Sequence, residues 1–264
     1  MKTLYHISDL HFGKDRPELI APLLAELQKA DFVSISGDLT QRARPSQFVA
    51  ARNFIEQIEP PTLVVPGNHD VPLHNPFRRF VTPYRNYKKY VTRNFWPEIR
   101  TPELSVLGLN TVAPWHWQRG SIDGHQIGHL CRRLSQLQGL RVLVAHHPFE
   151  QSEDSSKALM RGAGKALGKL ADAGLDLVLT GHLHQWRDDP FVAKGSGRQV
   201  MQIHVGTGLS SRLRNQQNDF AIIRTDGDHV EITRMSENGG RFEPALTRAY
   251  CRTERGWQSA DQSG

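Results

Sequence analysis

Short apolar runs alternate with amphipathic stretches from Thr3 to His184, and five of the runs end in a polar block rich in Asp, Asn and His. The runs Thr3 to Ser8, Phe32 to Ser36, Thr62 to Val65, Ser105 to Asn110, Arg141 to Ala145 and Leu175 to Thr180 read as strands. Most are continuously apolar, the pattern of strands covered on both faces. Between them, Leu19, Ile20, Leu23, Leu24 and Leu27 form one helical stripe, and Phe48, Ala51, Ile55 and Ile58 form another behind the start signal Pro45-Ser46. Ile127, Leu130, Cys131, Leu134 and Leu137 give a third, and Ala163, Ala166, Leu167, Leu170 and Ala171 a fourth. Strand alternating with helix predicts βαβ units and an α/β fold. After His184 the runs Val200 to Val205, Phe220 to Arg224 and Val230 to Arg234 are joined by polar turns such as Asp226-Gly227-Asp228. They predict an antiparallel segment that completes a second sheet, hence a β-sandwich of two mixed sheets flanked by helices.

At 264 residues the chain fits one large domain, expected over residues 1–252, with a polar, frayed tail over 253–264. Residues 71–100 interrupt the pattern: Phe77, Phe80, Tyr84, Tyr87, Tyr90, Phe95 and Trp96 are interleaved with Arg78, Arg79, Arg85, Lys88, Lys89 and Arg93. Phe77, Phe80, Val81 and Tyr84 fit one helical face, which predicts an excursion with its aromatic side packed inward and its basic side solvated. A substrate-facing cap or a nucleic-acid contact is the alternative, since the segment starts beside His69. Cys131 and Cys251 are too few for a disulfide framework and are expected to be free thiols. No run approaches the roughly 18 to 20 apolar residues of a membrane span, and the N-terminus lacks a signal-peptide pattern, so a cytoplasmic location is expected. The net charge of +6 and a pI near 9.5 favour anionic partners and agree with a phosphate-bearing substrate.

The blocks are Asp9-Leu10-His11, Gly37-Asp38, Gly67-Asn68-His69-Asp70, His146-His147-Pro148 and Gly181-His182-Leu183-His184. Side chains leaving the C-terminal ends of buried strands gather at the mouth of an α/β sheet, where ligands bind. Their O and N donors suffice for two metal ions that share one carboxylate. Asp9 and His11 are two residues apart, and a strand end turning into a loop can direct both to one ion. Asp38 is the natural bridge because each of its two oxygens can take a metal. Asn68 offers an uncharged oxygen, and His182 with His184 repeats the spacing of the first block. Each block alone also fits a turn or a cap. His6, His74, His116, His125, His129, His204 and His229 lie outside the pattern and read as surface or structural histidines, with His116 and His204 the first to check.

In order and content these blocks resemble the D-x-H, G-D, G-N-H-D/E, H-x-P and G-H-x-H signature of the calcineurin-like metallophosphoesterase superfamily. The resemblance covers residues 9–184 and implies that superfamily's αββα layering. It implies that Asp9, His11, Asp38 and His184 hold one metal, and Asp38, Asn68, His146 and His182 a second. The H-x-P register selects His146 rather than His147. It further implies that a hydroxide bridging the metals attacks phosphorus while His69 protonates or stabilises the leaving oxygen. Asp70 either orients His69 or caps the turn. The donor set suits Mn, Fe, Zn or Co without choosing among them. Among subgroups the chain looks most like small bacterial cyclic-nucleotide phosphodiesterases, which implies a small phosphodiester such as cyclic AMP as substrate. A nuclease, or another phosphodiesterase or phosphomonoesterase of the superfamily, is the alternative, with nucleic acid as a partner in the first case. A non-catalytic scaffold ranks last, because every ligand position is kept. Gly206 to Arg214 could contact a phosphate or base, although Gly/Ser turns with exposed Arg are common.

Overall fold

A computed structural model describes residues 1–73, 75–151, 157–192, 197–213, 216–254 and 256–260. His74, Arg214 and the end of the predicted tail, 261–264, lie outside the described residues. The chain runs through β1 (Lys2–Ile7), α1 (Ile20–Leu27), β2 (Phe32–Ile35), α2 (Pro45–Ile55) and β3 (Thr62–Val64). An excursion carries α3 (Pro76–Val81) and α4 (Arg85–Tyr90) and leads into β4 (Glu98–Arg100). Then come β5 (Leu104–Leu109), α5 (Gly124–Leu134), β6 (Leu140–Ala145), α6 (Ala163–Asp172) and β7 (Leu177–Thr180). The remainder is β8 (Arg187–Val192), β9 (Gln199–His204), β10 (Asp219–Thr225), β11 (His229–Asn238), β12 (Arg241–Thr253) and β13 (Gly256–Ser259).

Among the described residues these strands form two mixed sheets, ordered β13-β12-β11-β10-β1-β2-β3 and β4-β5-β6-β7-β9-β8. The continuous apolar runs have a direct cause. On β6, Val142 and Val144 face the other sheet while Leu143 and Ala145 face α5 and α6. On β1, Leu4 joins the core between the sheets, whereas Tyr5 and Ile7 pack with Leu23 and Leu27 of α1 and Phe48 of α2. Each central strand is therefore buried on both sides, in the layer order helix, sheet, sheet, helix. The four predicted helical stripes map onto α1, α2, α5 and α6, with Leu19, Ile58 and Leu137 just beyond the helix ends, and the six predicted strands all appear.

Three expectations are corrected. The strands after His184 do not all complete the second sheet. β9 joins it parallel to β7, while β10 pairs antiparallel with β1 and extends the first sheet through β11 to β13. The residues from Thr253 are not a frayed tail as far as they are described, because Gly256–Ser259 pair with β12 and Trp257 is 1% exposed. Burying one indole contributes about 2 to 3 kcal/mol, enough to hold a short strand whose other residues are polar. In the excursion, α4 packs inward as expected: Tyr87 is buried, with Phe95 stacked on it and its hydroxyl donating to the Val64 carbonyl. On α3 the pattern is inverted, for Phe77 and Val81 are 74% and 59% exposed and Arg79 only 2%. Pro83 separates α3 from α4, so residues 77 and 84 never share one helical face. The Arg79 guanidinium donates to the carbonyls of Pro72, Pro114, His116 and Trp117, and this satisfied charge displaces the phenylalanines from the interior.

Both cysteines are free thiols, and among the described residues no helix is long and apolar enough to cross a membrane.

Candidate metal centre

Every block leaves the C-terminal end of a strand: Asp9 and His11 after β1, Asp38 after β2, Asn68 after β3, His146 after β6, His182 and His184 after β7. β1, β2 and β3 run parallel in one sheet and β5, β6 and β7 parallel in the other, so these ends meet along one rim. The backbone there is strained. Among the described residues, the non-glycine positions with positive φ are Asp9 (53°), His11 (50°), Asp38 (50°), His182 (71°), His184 (56°) and Ala43 (51°). A left-handed non-glycine residue costs about 1 kcal/mol or more, and such strain gathers at functional sites. Two glycines make the turns possible. A Cβ on Gly37 (φ 88°) would run into the Gly67 backbone, and one on Gly181 into Ser8 Oγ and Asp9 Oδ2.

One cluster consists of Asp9, His11, Asp38 and His184, all buried, with ligand-type atoms within 4.8 Å of one another. Asp9 Oδ2 accepts from Ser8 Oγ at 2.6 Å and from the His182 amide at 2.9 Å. Its Oδ1 has no hydrogen-bond partner and lies 3.0 Å from His184 Nε2 and 3.4 Å from His11 Nε2. His184 Nδ1 is engaged by the Arg212 carbonyl at 3.3 Å, which leaves the Nε2 lone pair turned toward Asp9.

The second cluster gathers around His146. Its Nδ1 donates to the Ser36 carbonyl at 2.8 Å, so Nε2 is the remaining ligand atom. That nitrogen sits 3.1 Å from Asn68 Oδ1, 3.2 Å from His182 Nδ1 and 3.4 Å from Asp38 Oδ2. Converging lone pairs demand a positive charge among them, whether a proton or a metal ion. Without metal a proton serves. Burial works against a charge on His146, but Asp38 outweighs it and holds the imidazole up at about 9. Burial likewise works against ionising Asp38, and His146 and His69 outweigh it, leaving that carboxyl well below the usual range.

Asp38 lies between the clusters, but not as the sequence suggests. Its Oδ1 accepts from the His69 amide at 2.7 Å, so the two oxygens do not serve one cluster each. Oδ2 faces both, 3.4 Å from His146 Nε2 and 3.8 Å from His11 Nε2. His147 also lies beside His146 and His182, yet its Nδ1 is bonded to Thr111 Oγ1 at 2.8 Å and its Nε2 to the Gln118 carbonyl at 3.1 Å. Both ring nitrogens are committed to the protein. The donor set, the orphaned Asp9 oxygen and the anchored imidazoles fit divalent cations.

His69 points its Nδ1 at the Gln41 carbonyl, 2.8 Å away, so Nε2 is the ring nitrogen left for other partners. Burial lowers its pKa, against the pull of Asp38. Asp70 does not orient His69. It accepts from the amides of Leu39, Thr40 and Gly67 and from the Thr40 hydroxyl, tying the loop after β2 to the loop after β3. Burial, then the neighbouring Asp38, raise its carboxyl to about 7. Sequence reasoning missed the supporting carbonyls of Ser36, Gln41 and Arg212, since a carbonyl is common to every residue. The segment from Gly206 thus contributes through its backbone, with Gly208 donating to the Ser8 carbonyl at 2.8 Å.

His204 lies on the face of β9 opposite Met201 and Ile203, which line the core between the sheets. Its Nδ1 donates to Thr180 Oγ1 at 2.8 Å, and its Nε2 accepts from Gln202, which also holds the Phe149 amide beyond His146. Burial, with Arg187 nearby, pushes His204 down to about 3. The unfolded chain therefore takes up a proton here below pH 6.5 that the folded chain refuses until about pH 3, and stability falls with pH across that window. In metal-stripped protein, urea titrations of His204→Gln should show a pH slope shallower by about 1.4 kcal/mol per unit. Identical slopes would exclude a neutral buried His204.

Beside the clusters opens a cleft of about 770 Å³, lined by Asn68, His69 and His182 on one side and by Trp115, His116, Trp117, Arg119 and Lys157 among others on the other. His116, read from sequence as surface or structural, therefore belongs to the cleft wall, where Arg161 donates to its Nε2 at 2.9 Å. The volume suits a small molecule.

A family profile described as "Calcineurin-like phosphoesterase" matches residues 2–186. The chain belongs to this family. It is 25% identical over 162 residues to a "Probable cyclic nucleotide phosphodiesterase" of Synechococcus sp., covering 59% of this chain and 58% of that one. It is 32% identical over 80 residues to the "Glycerophosphodiester phosphodiesterase GpdQ" of Enterobacter lignolyticus, covering 25% of this chain and 29% of the relative. The chain thus spans less than two thirds of both relatives. In fold it is similar to the purple acid phosphatase PPD1 of yellow lupin, with TM-score 0.66 at 15% identity over 93% of this chain and 53% of that one. It is also similar in fold to GAP50 of Plasmodium, with TM-score 0.60 at 15% identity over 93% of this chain and 87% of that one.

Proposed function

We propose that the protein is a dinuclear-metal phosphodiesterase acting on a small phosphodiester, with a cyclic nucleotide such as cyclic AMP as the favoured substrate. The observation that carries this is Asp38 Oδ2 standing within reach of two buried donor clusters beside an open cleft that Asn68, His69 and His182 help to line. Asp9, His11, Asp38 and His184 would hold one ion, and Asp38, Asn68, His146 and His182 the other. When bound, two divalent ions activate water and offset charge on the phosphoryl oxygens. The chain supplies the rest. The carbonyls of Ser36 and Arg212 fix the imidazole tautomers of His146 and His184, and the Gln41 carbonyl holds His69 so that Nε2 can give a proton to the leaving oxygen. Lys157, whose ammonium donates to the His182 carbonyl at the cleft edge, adds positive charge for an anionic substrate.

Both sequence relatives bear phosphodiesterase names, which favours a diester over a monoester. The nuclease alternative drew on the aromatic-basic segment, but Tyr84, Tyr87 and Phe95 pack against one another instead of forming a platform for bases. The test is a Mn-supplemented panel of cyclic AMP, cyclic GMP, bis(p-nitrophenyl) phosphate, p-nitrophenyl phosphate and single- and double-stranded DNA at several salt concentrations. Diester cleavage that a chelator abolishes and Mn, Fe, Zn or Co restores is expected, with the cyclic nucleotides preferred over DNA. Activity that survives complete metal removal, or cleavage confined to the monoester, would overturn the reading.

A further inference from the structure

We infer that Trp115 and Trp117 form a ring-binding wall, so that the substrate carries a nucleobase which stacks there while its phosphate lies at the clusters. This deepens the phosphodiesterase reading and rests on it. The two indoles are 74% and 63% exposed, although Trp is on average among the most buried side chains. Both line the same cleft as His69 and His182. Neither is a loose surface residue. Trp115 stacks on Phe80 with ring centroids 4.6 Å apart and planes 16° from parallel. Trp117 is backed by the Arg79 guanidinium at 4.9 Å.

Each indole thus has one face occupied by the protein, while its large exposed area stays available to a ligand. Arg79 also fixes the backbone beneath them through the carbonyls of Pro114, His116 and Trp117. Arg79, buried and held by four backbone carbonyls while Phe77 and Val81 stay exposed, braces this loop and leaves its rings in water. Rigid aromatic faces held in advance lose little entropy when a flat ring docks. Around them, Arg119 and Lys157 give the cleft a cationic edge that suits a nucleotide. An acyl or glycerol group would gain nothing specific from two braced indoles. A purine gains a stacking surface.

Calorimetric binding to the Mn-loaded full chain tests this with AMP and ribose 5-phosphate, which share a sugar phosphate and differ in the base. AMP should bind about tenfold to a hundredfold more tightly. Trp115→Ala and Trp117→Ala should shrink that ratio toward one with ribose 5-phosphate affinity unchanged, while Trp115→Phe and Trp117→Phe keep most of it. Equal affinities in the wild type, absence of binding by both ligands, or alanine variants that weaken both ligands alike would overturn the inference. Should the wild type cleave no phosphodiester, the phosphodiesterase reading fails, and the AMP comparison still decides whether the wall binds a base.

Discussion

Asp38→Ala is expected to lose most of the bound metal and to lower kcat/KM for any phosphodiester by on the order of 10³-fold or more, about 4 kcal/mol of transition-state stabilisation. The reason is geometric. Oδ2 is the carboxylate oxygen that faces both His11 and His146, and Oδ1 fixes the His69 amide, so one truncation removes a donor from each cluster and loosens the loop that carries His69. Asp38→Asn keeps the shape while removing the charge, which separates electrostatics from packing. It should fold like the wild type and still bind metal poorly. Elemental analysis of metal content beside turnover makes the comparison. A fully metallated and active Asp38→Ala would refute the shared-carboxylate arrangement.

His69→Ala should have the opposite signature, with metal content kept and turnover reduced about 10²- to 10⁴-fold, the span usual for loss of a general acid. The His69 backbone N–H to Asp38 survives the change, and its imidazole makes no ligand-type contact in either cluster. The loss should depend on the leaving group. An alkoxide such as a nucleoside 3′-oxygen needs a proton, whereas p-nitrophenolate leaves unaided, so bis(p-nitrophenyl) phosphate hydrolysis should suffer least. Equal losses for both substrates would assign His69 to positioning instead of proton transfer.

Much of the architecture could be read directly from residue pattern. A run such as Val142-Leu143-Val144-Ala145 has no polar face, and only a strand buried on both sides accommodates it, so the helix-sheet-sheet-helix order followed. The polar blocks at the ends of such strands marked where donors would gather. The Phe220 run was legible as a strand, yet nothing local told which sheet it would join. That choice depends on how long-range faces match, as when Ala221 and Ile223 meet the opposite sheet and Phe220 and Ile222 meet α1. The helical stripe through Phe77 and Tyr84 misled for a related reason: a distant set of carbonyls made burial of Arg79 more favourable than burial of a ring.

By itself, then, the sequence determined which side chains could serve as ligands and on which strand ends they lie, because periodicity and residue type are local properties. Only the tertiary structure decided which atoms of those side chains are free. Asp38 Oδ1 is taken by an amide, both nitrogens of His147 are spent on Thr111 and Gln118, and His69 is aimed by Gln41 and not by Asp70. Backbone groups carry no sequence signature, and they meet these side chains only after the two sheets have packed.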